Sequence, residues 1–261
     1  MGDPVHSVAE APVWVALLLL SCKRDEPGTT PEESREENLS SSAGDWALDF
    51  LQGSPYDRIQ VEVDWVEGHP PGDDALDHLV DVIGEVCDKP GGVEILLDDE
   101  IPDQGSPAWT VAAAEALEVE HRDHYRDPAT GTAVIYYLYV DGHSAEDDDE
   151  SRVLGFAYHG SSLVMFAETM ADAQSGIPLL GGGGVEESVI AHELGHLLGL
   201  TNNGVPMQEP HQDAPHGAHC DDESCLMYWA VETDLIGSLL GNGVPELDAG
   251  CLADLAAARD G

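Results

Sequence analysis

The sequence predicts an α/β (α+β) fold, a mixed twisted sheet with one long late helix and a small loop-rich C-terminal subdomain. Three observations predict it. Segments of strand and helix period follow one another in the order strand, helix, strand, helix, then several strands. A further apolar-periodic segment of helical length covers about 186–199. Beyond residue 200, Asn203, Gly204, Pro206, Pro210, Pro215 and Gly217 break any period.

The individual elements follow from their patterns. Ile59, Val61, Val63 and Trp65 alternate with Gln60, Glu62 and Asp64, the period of a strand with one buried face. Asp73 can cap a helix in which Leu76, Leu79, Val80, Ile83, Val86 and Cys87 recur at helical spacing, and the turn at Pro90, Gly91 and Gly92 follows it. Val93 to Leu97 returns as a strand, and Thr110 to about His121 is Ala-rich and helical in pattern. The β-branched and aromatic run Ala133 to Val140 reads as a central strand, followed by short strands at Val153 to Tyr158 and Leu163 to Ala167. Near the end Pro245 can open a helix with Leu247, Cys251, Leu252 and Leu255 on one face. No internal repeat is present.

With 261 residues and 42% apolar content the chain can bury the core of one sizeable domain. Its 52 acidic against 9 basic residues leave a formal charge of −43, which excludes nucleic acid as a partner and describes an acidic, solvated surface. The run Glu146, Asp147, Asp148, Asp149, Glu150 lacks the Gly-punctuated spacing of a calcium loop and reads as a charged loop.

Val13 to Leu20 is wholly apolar but too short to span a bilayer as a helix. With Ser21 and Cys22 it ends in Leu19, Leu20, Ser21, Cys22, which resembles a bacterial lipobox. The resemblance implies a lipoprotein-type signal peptide over residues 1–21, a lipid anchor on Cys22, and an exported protein of the cell envelope, held at the outer membrane or cell surface. One feature departs from the pattern: no Lys or Arg precedes Cys22, whereas Asp3 and Glu10 do. Residues 22–45, rich in Glu, Ser, Thr and Pro, read as a disordered acidic linker, which places the folded domain at 46–261.

The chemistry-bearing segment is His192, Glu193, Leu194, Gly195, His196, an H-E-x-x-H motif inside the apolar-periodic stretch. Residues four apart on a helix face the same way, so both imidazoles can bind one zinc ion. Glu193 is then placed as general base for a zinc-activated water. Ile190, Leu194, Leu197 and Leu198 give the helix a buried side, Glu186 and Glu187 suit its N-terminal end, and Gly199 suits its termination. Gly195, unfavourable within a helix, signals close approach by a neighbour.

Continued to Gly199 and Asn202, the motif resembles the metzincin pattern H-E-x-x-H-x-x-G-x-x-H with its last histidine replaced. Neutral Asn is a poor zinc ligand, so either the site is crippled or the third ligand comes from further along. His219, Cys220, Cys225 and Met227 resemble the H-C-x-x-x-x-C-x-M ending of the archaemetzincin signature, 17 residues displaced, which implies His219 as third ligand and Met227 as the Met-turn methionine. His211 is the rival third ligand, since His211 and Asp213 could also fold over the site. The resemblance implies a metzincin-like zincin, a zinc metallopeptidase, endopeptidase ahead of aminopeptidase, with one catalytic Zn2+ and a peptide or protein substrate. It also implies that the strand around Leu163 to Ala167 forms the cleft rim and pairs with an extended peptide. The alternative function is a non-catalytic zinc-binding surface lipoprotein, and Glu193 separates the two because a structural site has no use for it. A monomer is expected, with no propeptide or cysteine switch between Cys22 and Ile59.

Beyond Cys22, four cysteines remain in an exported chain, so two disulfides are the default. Cys220 with Cys225 and Cys87 with Cys251 is one of three possible pairings. Archaemetzincins use further cysteines for a second, structural zinc, but the downstream C-x-x-C pair is missing here and no such site is expected.

Overall fold

A computed structural model describes Met1 and residues 30–148, 151–175, 184–233 and 243–261. The apolar segment before Cys22, the lipobox and Cys22 itself lie outside the described residues. Two helices, α1 (Pro31–Leu39) and α2 (Ala47–Leu51), precede β1 (Arg58–Val66), α3 (Asp73–Val86) and β2 (Gly92–Ile101). Next come β3 (Ala108–Trp109), α4 (Val111–His121), β4 (Thr132–Val140), β5 (His143–Ser144), β6 (Gly155–Tyr158) and β7 (Ser162–Phe166). The chain ends with α5 (Ala167–Ser175), α6 (Gly184–Leu197) and α7 (Ala249–Asp260), with short 3-10 turns between the last two.

The main sheet has the order β2-β1-β4-β7-β6, parallel except for the antiparallel pair β6 and β7. β4 lies at its centre and is buried on both faces, the reason for its unbroken apolar run. Ile135, Tyr137 and Tyr139 face one apolar cluster, shared with α2, α3, α6 and α7. Tyr136, Leu138 and Val140 face the other, closed by Leu117 of α4 and by Trp109. Among the described residues no helix is long and apolar enough to cross a membrane.

Several expectations need correction. β7 is internal, because β6 pairs along its outer side, so β6 and not the strand at 163–167 is the edge strand. Asp73 is the first residue of α3, whose N-cap is Gly72. α7 starts at Ala249 with Asp248 as its cap, not at Pro245. Two polar residues of β1 do not face water. Glu62 and Asp64 are fully buried; Glu62 accepts the amides of Asp123 (2.6 Å) and His124 (2.9 Å), and Asp64 accepts the Tyr136 hydroxyl (2.8 Å).

The linker reading fails for residues 30–45. α1 carries a Thr30 and Glu33 capping box with Pro31 at its start. It docks through hydrogen bonds rather than an apolar stripe. Asn38 donates to Glu118 (2.9 Å) and accepts from Ser161 (2.8 Å), joining the fully buried Arg122–Glu118 ion pair. Arg126 adds bonds to Glu37 and Asp49 and stacks over Trp46.

Candidate metal centre

α6 is buried along its whole length apart from Glu187, enclosed between α3, β6 and the turn Trp229–Glu232. A helix covered on all sides has no need of a polar face. It ends at Gly199, in the left-handed region at φ 75°, where the Leu200 amide bonds back to the Gly195 carbonyl (3.1 Å). Asn202 then turns outward, exposed and also left-handed at φ 68°.

The chain returns after a long excursion. Thr201 donates its hydroxyl to the Ala218 carbonyl, which closes the base of the loop and delivers His219 beside α6. His192, His196 and His219 thereby form one cluster, with ring centroids 4.8 Å (His192–His196), 5.2 Å (His192–His219) and 5.0 Å (His196–His219) apart. The Nε2 atoms of His192 and His196 are 3.1 Å apart.

Hydrogen bonding on the far side of two rings fixes their tautomers. His192 Nδ1–H donates to the Leu226 carbonyl (2.7 Å) and His219 Nδ1–H to the His216 carbonyl (2.6 Å). In the neutral rings Nε2 then bears the lone pair, the form that binds a metal. Burial holds His196 well below the usual histidine range, with the neighbouring His192 adding to the effect. Convergent imidazole lone pairs at this separation fit one zinc ion, whose ligands at about 2.0–2.1 Å lie about 3.4 Å apart in a tetrahedron.

Glu193 is fully buried, and neither carboxylate oxygen makes a hydrogen bond of good geometry, although the Ala157 amide of β6 favours its ionised form. Burial raises its pKa well above the carboxylate range, and the charge of Glu232 raises it further. The neighbour at Gly195 is Met227: a Cβ added there would meet its Sδ at 2.2 Å. Met227 follows Leu226, whose carbonyl orients His192, so the sulfur lies under α6 between the two ligands' turns.

Glu232 also belongs to this cluster and escaped the sequence reading. Its carboxylate oxygens lie 3.4 Å from His219 Nε2, 3.7 Å from His192 Nε2 and 3.9 Å from His196 Nε2. As one of 52 acidic residues it carried no distinguishing signal.

His211, the rival third ligand, lies outside this cluster. Its Nε2–H donates to Asp254 (2.9 Å), and its Nδ1 faces Cys220 Sγ at 3.4 Å and Cys251 Sγ at 3.9 Å. His211, Cys220, Asp248 and Cys251 make a second group with donor atoms within 4.8 Å of one another, and Cys225 Sγ is 3.7 Å from Cys251 Sγ. The expected disulfides are absent: Cys87, Cys220, Cys225 and Cys251 are all free thiols, and three of the four converge. Cys225 is drawn down to about 7 by its bond with Cys251 and by the amides of Asp248 and Met227, against the effect of burial. Thiols with amide donors, a histidine bonded to a carboxylate, and Asp248 standing three residues before Cys251 are donor types that can hold a metal ion. The group was not legible in the sequence, because it draws on His211 and Asp248 rather than on a C-x-x-C pair.

No protein-family profile and no curated protein matches this chain. Among solved structures it is similar to the archaemetzincin of Methanopyrus kandleri, with 14% identity over 78% of this chain and 96% of that chain at a TM-score of 0.50. It is also similar to metalloproteinase-II of Bacteroides fragilis, with 14% identity over 80% of this chain and 55% of that chain at a TM-score of 0.42. The first likeness shows the fold, an archaemetzincin-like mixed α/β layer with a mostly parallel twisted sheet.

Proposed function

We propose that the chain is a zinc metallopeptidase, an endopeptidase that hydrolyses peptide bonds with His192, His196 and His219 as metal ligands and Glu193 as general base. The observation that carries this reading is Glu193: a carboxylate fully buried next to three convergent imidazoles, with no ion pair or good hydrogen bond to account for it. A bound zinc ion supplies Lewis acidity and brings the pKa of its water to about 7. Glu193 takes the proton from the attacking water as its oxygen bonds to the peptide carbonyl carbon. The same carboxyl returns that proton to the amine nitrogen as the C–N bond breaks. β6, the edge strand whose Ala157 amide faces Glu193, offers main-chain groups to an extended peptide.

The cysteine group, on the segment that carries both His219 and Met227, holds a second, structural ion in this reading and stiffens that segment. The lipobox resemblance around Cys22 adds export and a lipid anchor at the cell envelope to this reading. The second reading, a zinc-binding surface lipoprotein that cleaves nothing, draws support from Glu232, since a fourth donor closes a site.

The test is cleavage of a mixed peptide library by the zinc-loaded chain, by the chain with chelator, and by Glu193→Ala. The peptidase reading expects cleavage in the first alone. Cleavage by Glu193→Ala at the wild-type rate overturns the mechanism, and no cleavage by any zinc-loaded form favours the second reading.

A further inference from the structure

Glu232 points into the space between the three histidine rings. Glu232 closes the turn Trp229–Glu232, five residues beyond Met227, and its side chain is about one-quarter exposed, 25%. Both oxygens face the histidine cluster, one toward His219 and the other toward His192 and His196. Among the described residues no Lys or Arg is one of its ion-pair partners.

With the rings neutral, that placement is unfavourable without a cation. Nδ1–H of His192 and of His219 is committed to a backbone carbonyl, so the Nε2 atoms of the neutral rings present lone pairs to the carboxylate. Acceptors facing acceptors in a buried space repel, whereas a divalent ion between them turns all four groups into ligands. The separations agree with this. Ligands of one tetrahedral zinc lie about 3.4 Å apart, and the donor pairs here are 3.1 Å (His192–His196) and 3.4 Å (His219–Glu232), with the remaining Glu232 distances at 3.7 and 3.9 Å.

The backbone pins the carboxylate in place. The Glu232 carbonyl accepts the Leu154 amide (2.8 Å), and Thr233 bridges to Val153, immediately before the edge strand β6. The side chain can leave the metal only by rotating or by drawing its turn away from that strand.

We propose that Glu232 is a fourth, displaceable metal ligand, an internal carboxylate that occupies the position required by water and peptide carbonyl and holds the folded chain latent. The inference rests on the metal-site reading above and adds a regulated state to it. Four donors saturate a tetrahedral ion, and activity requires the carboxylate to give way to water, a ligand exchange in which no covalent bond of the chain changes.

The test uses the full chain loaded with cobalt(II), whose visible spectrum reports the ligands, in wild type, Glu232→Gln and Glu232→Asp, with circular dichroism to establish folding. Glu232→Asp keeps the charge and packing class but is one methylene too short to reach. Expected are a changed cobalt spectrum in both variants, metal affinity weakened by about tenfold or more, and azide binding that perturbs the variant spectra but not the wild type. Peptide cleavage at saturating metal should rise in the variants. Wild-type and variant proteins with the same cobalt spectrum, affinity and azide response overturn the inference whether or not the chain is a peptidase. The expected spectra with no cleavage by any form leave Glu232 as a ligand and overturn the peptidase reading instead.

Discussion

Gly195→Ala probes the contact between α6 and Met227. In an ordinary helix interior the substitution stabilises by about 1 kcal/mol. Here the new Cβ would stand 2.2 Å from Met227 Sδ, 3.1 Å from its Cε and 3.4 Å from Leu200 Cδ1. A methionine side chain can bend, but Met227 is fully buried, so bending it disturbs the packing around it. Overpacking of this kind costs about 1–3 kcal/mol, which leaves a net loss of about 1 kcal/mol after the helix gain. In thermal unfolding of the metal-free protein that loss lowers Tm by about 2–4 °C. A double-mutant cycle with Met227→Ala isolates the contact: in the double variant the added methyl enters space the sulfur has left, so the two losses fall short of additivity by about 1 kcal/mol or more. Additive losses within about 0.5 kcal/mol, or a Gly195→Ala protein that gains its full helix propensity, would refute the placement of Met227 under α6.

Three further outcomes follow from the same geometry. Asn38→Ala removes the donor to Glu118 and the acceptor for Ser161 inside a buried network, so it should cost about 1–3 kcal/mol in denaturant unfolding and expose α1 to protease; unchanged stability and protection would contradict the docking of α1. Burial raises Glu62 to about 7, against the amides of Asp123 and His124. The folded state therefore holds its proton more tightly than the unfolded one, and stability present below about pH 4.5 declines as pH rises toward 7, by about 3 kcal/mol from this group. Glu62→Gln should flatten that slope, and an unaltered slope would reject the assignment. Zinc content should be two ions per chain and fall to one in Cys251→Ser; a wild-type content of one, unchanged by that substitution, would reject the cysteine site.

The sheet was legible because β1 alternates apolar and polar residues and β4 carries the unbroken apolar run of a strand covered on both faces. The motif helix was legible for the same reason: spacing alone places His192 and His196 together. What escaped depends on contacts distant in sequence. α1 has no apolar face and is held by Asn38 reaching residues 80 and more positions away, which no periodicity can reveal. β6 hides the outer side of β7 by folding back as a hairpin, so the edge strand was misassigned. Glu232, and the gathering of His211 and Asp248 with three cysteines, depend on how the irregular segment after Gly199 winds back on itself. Thr201 bonding to Ala218 is the local contact that makes His219 follow α6 in space.

Zinc bound to His219→Ala and to wild-type protein, compared by chelator competition, tests the three-imidazole site most directly. One tightly held ion per chain should be lost in the variant while its circular dichroism is retained. A His219→Ala protein that keeps its full zinc content at wild-type affinity would contradict the account.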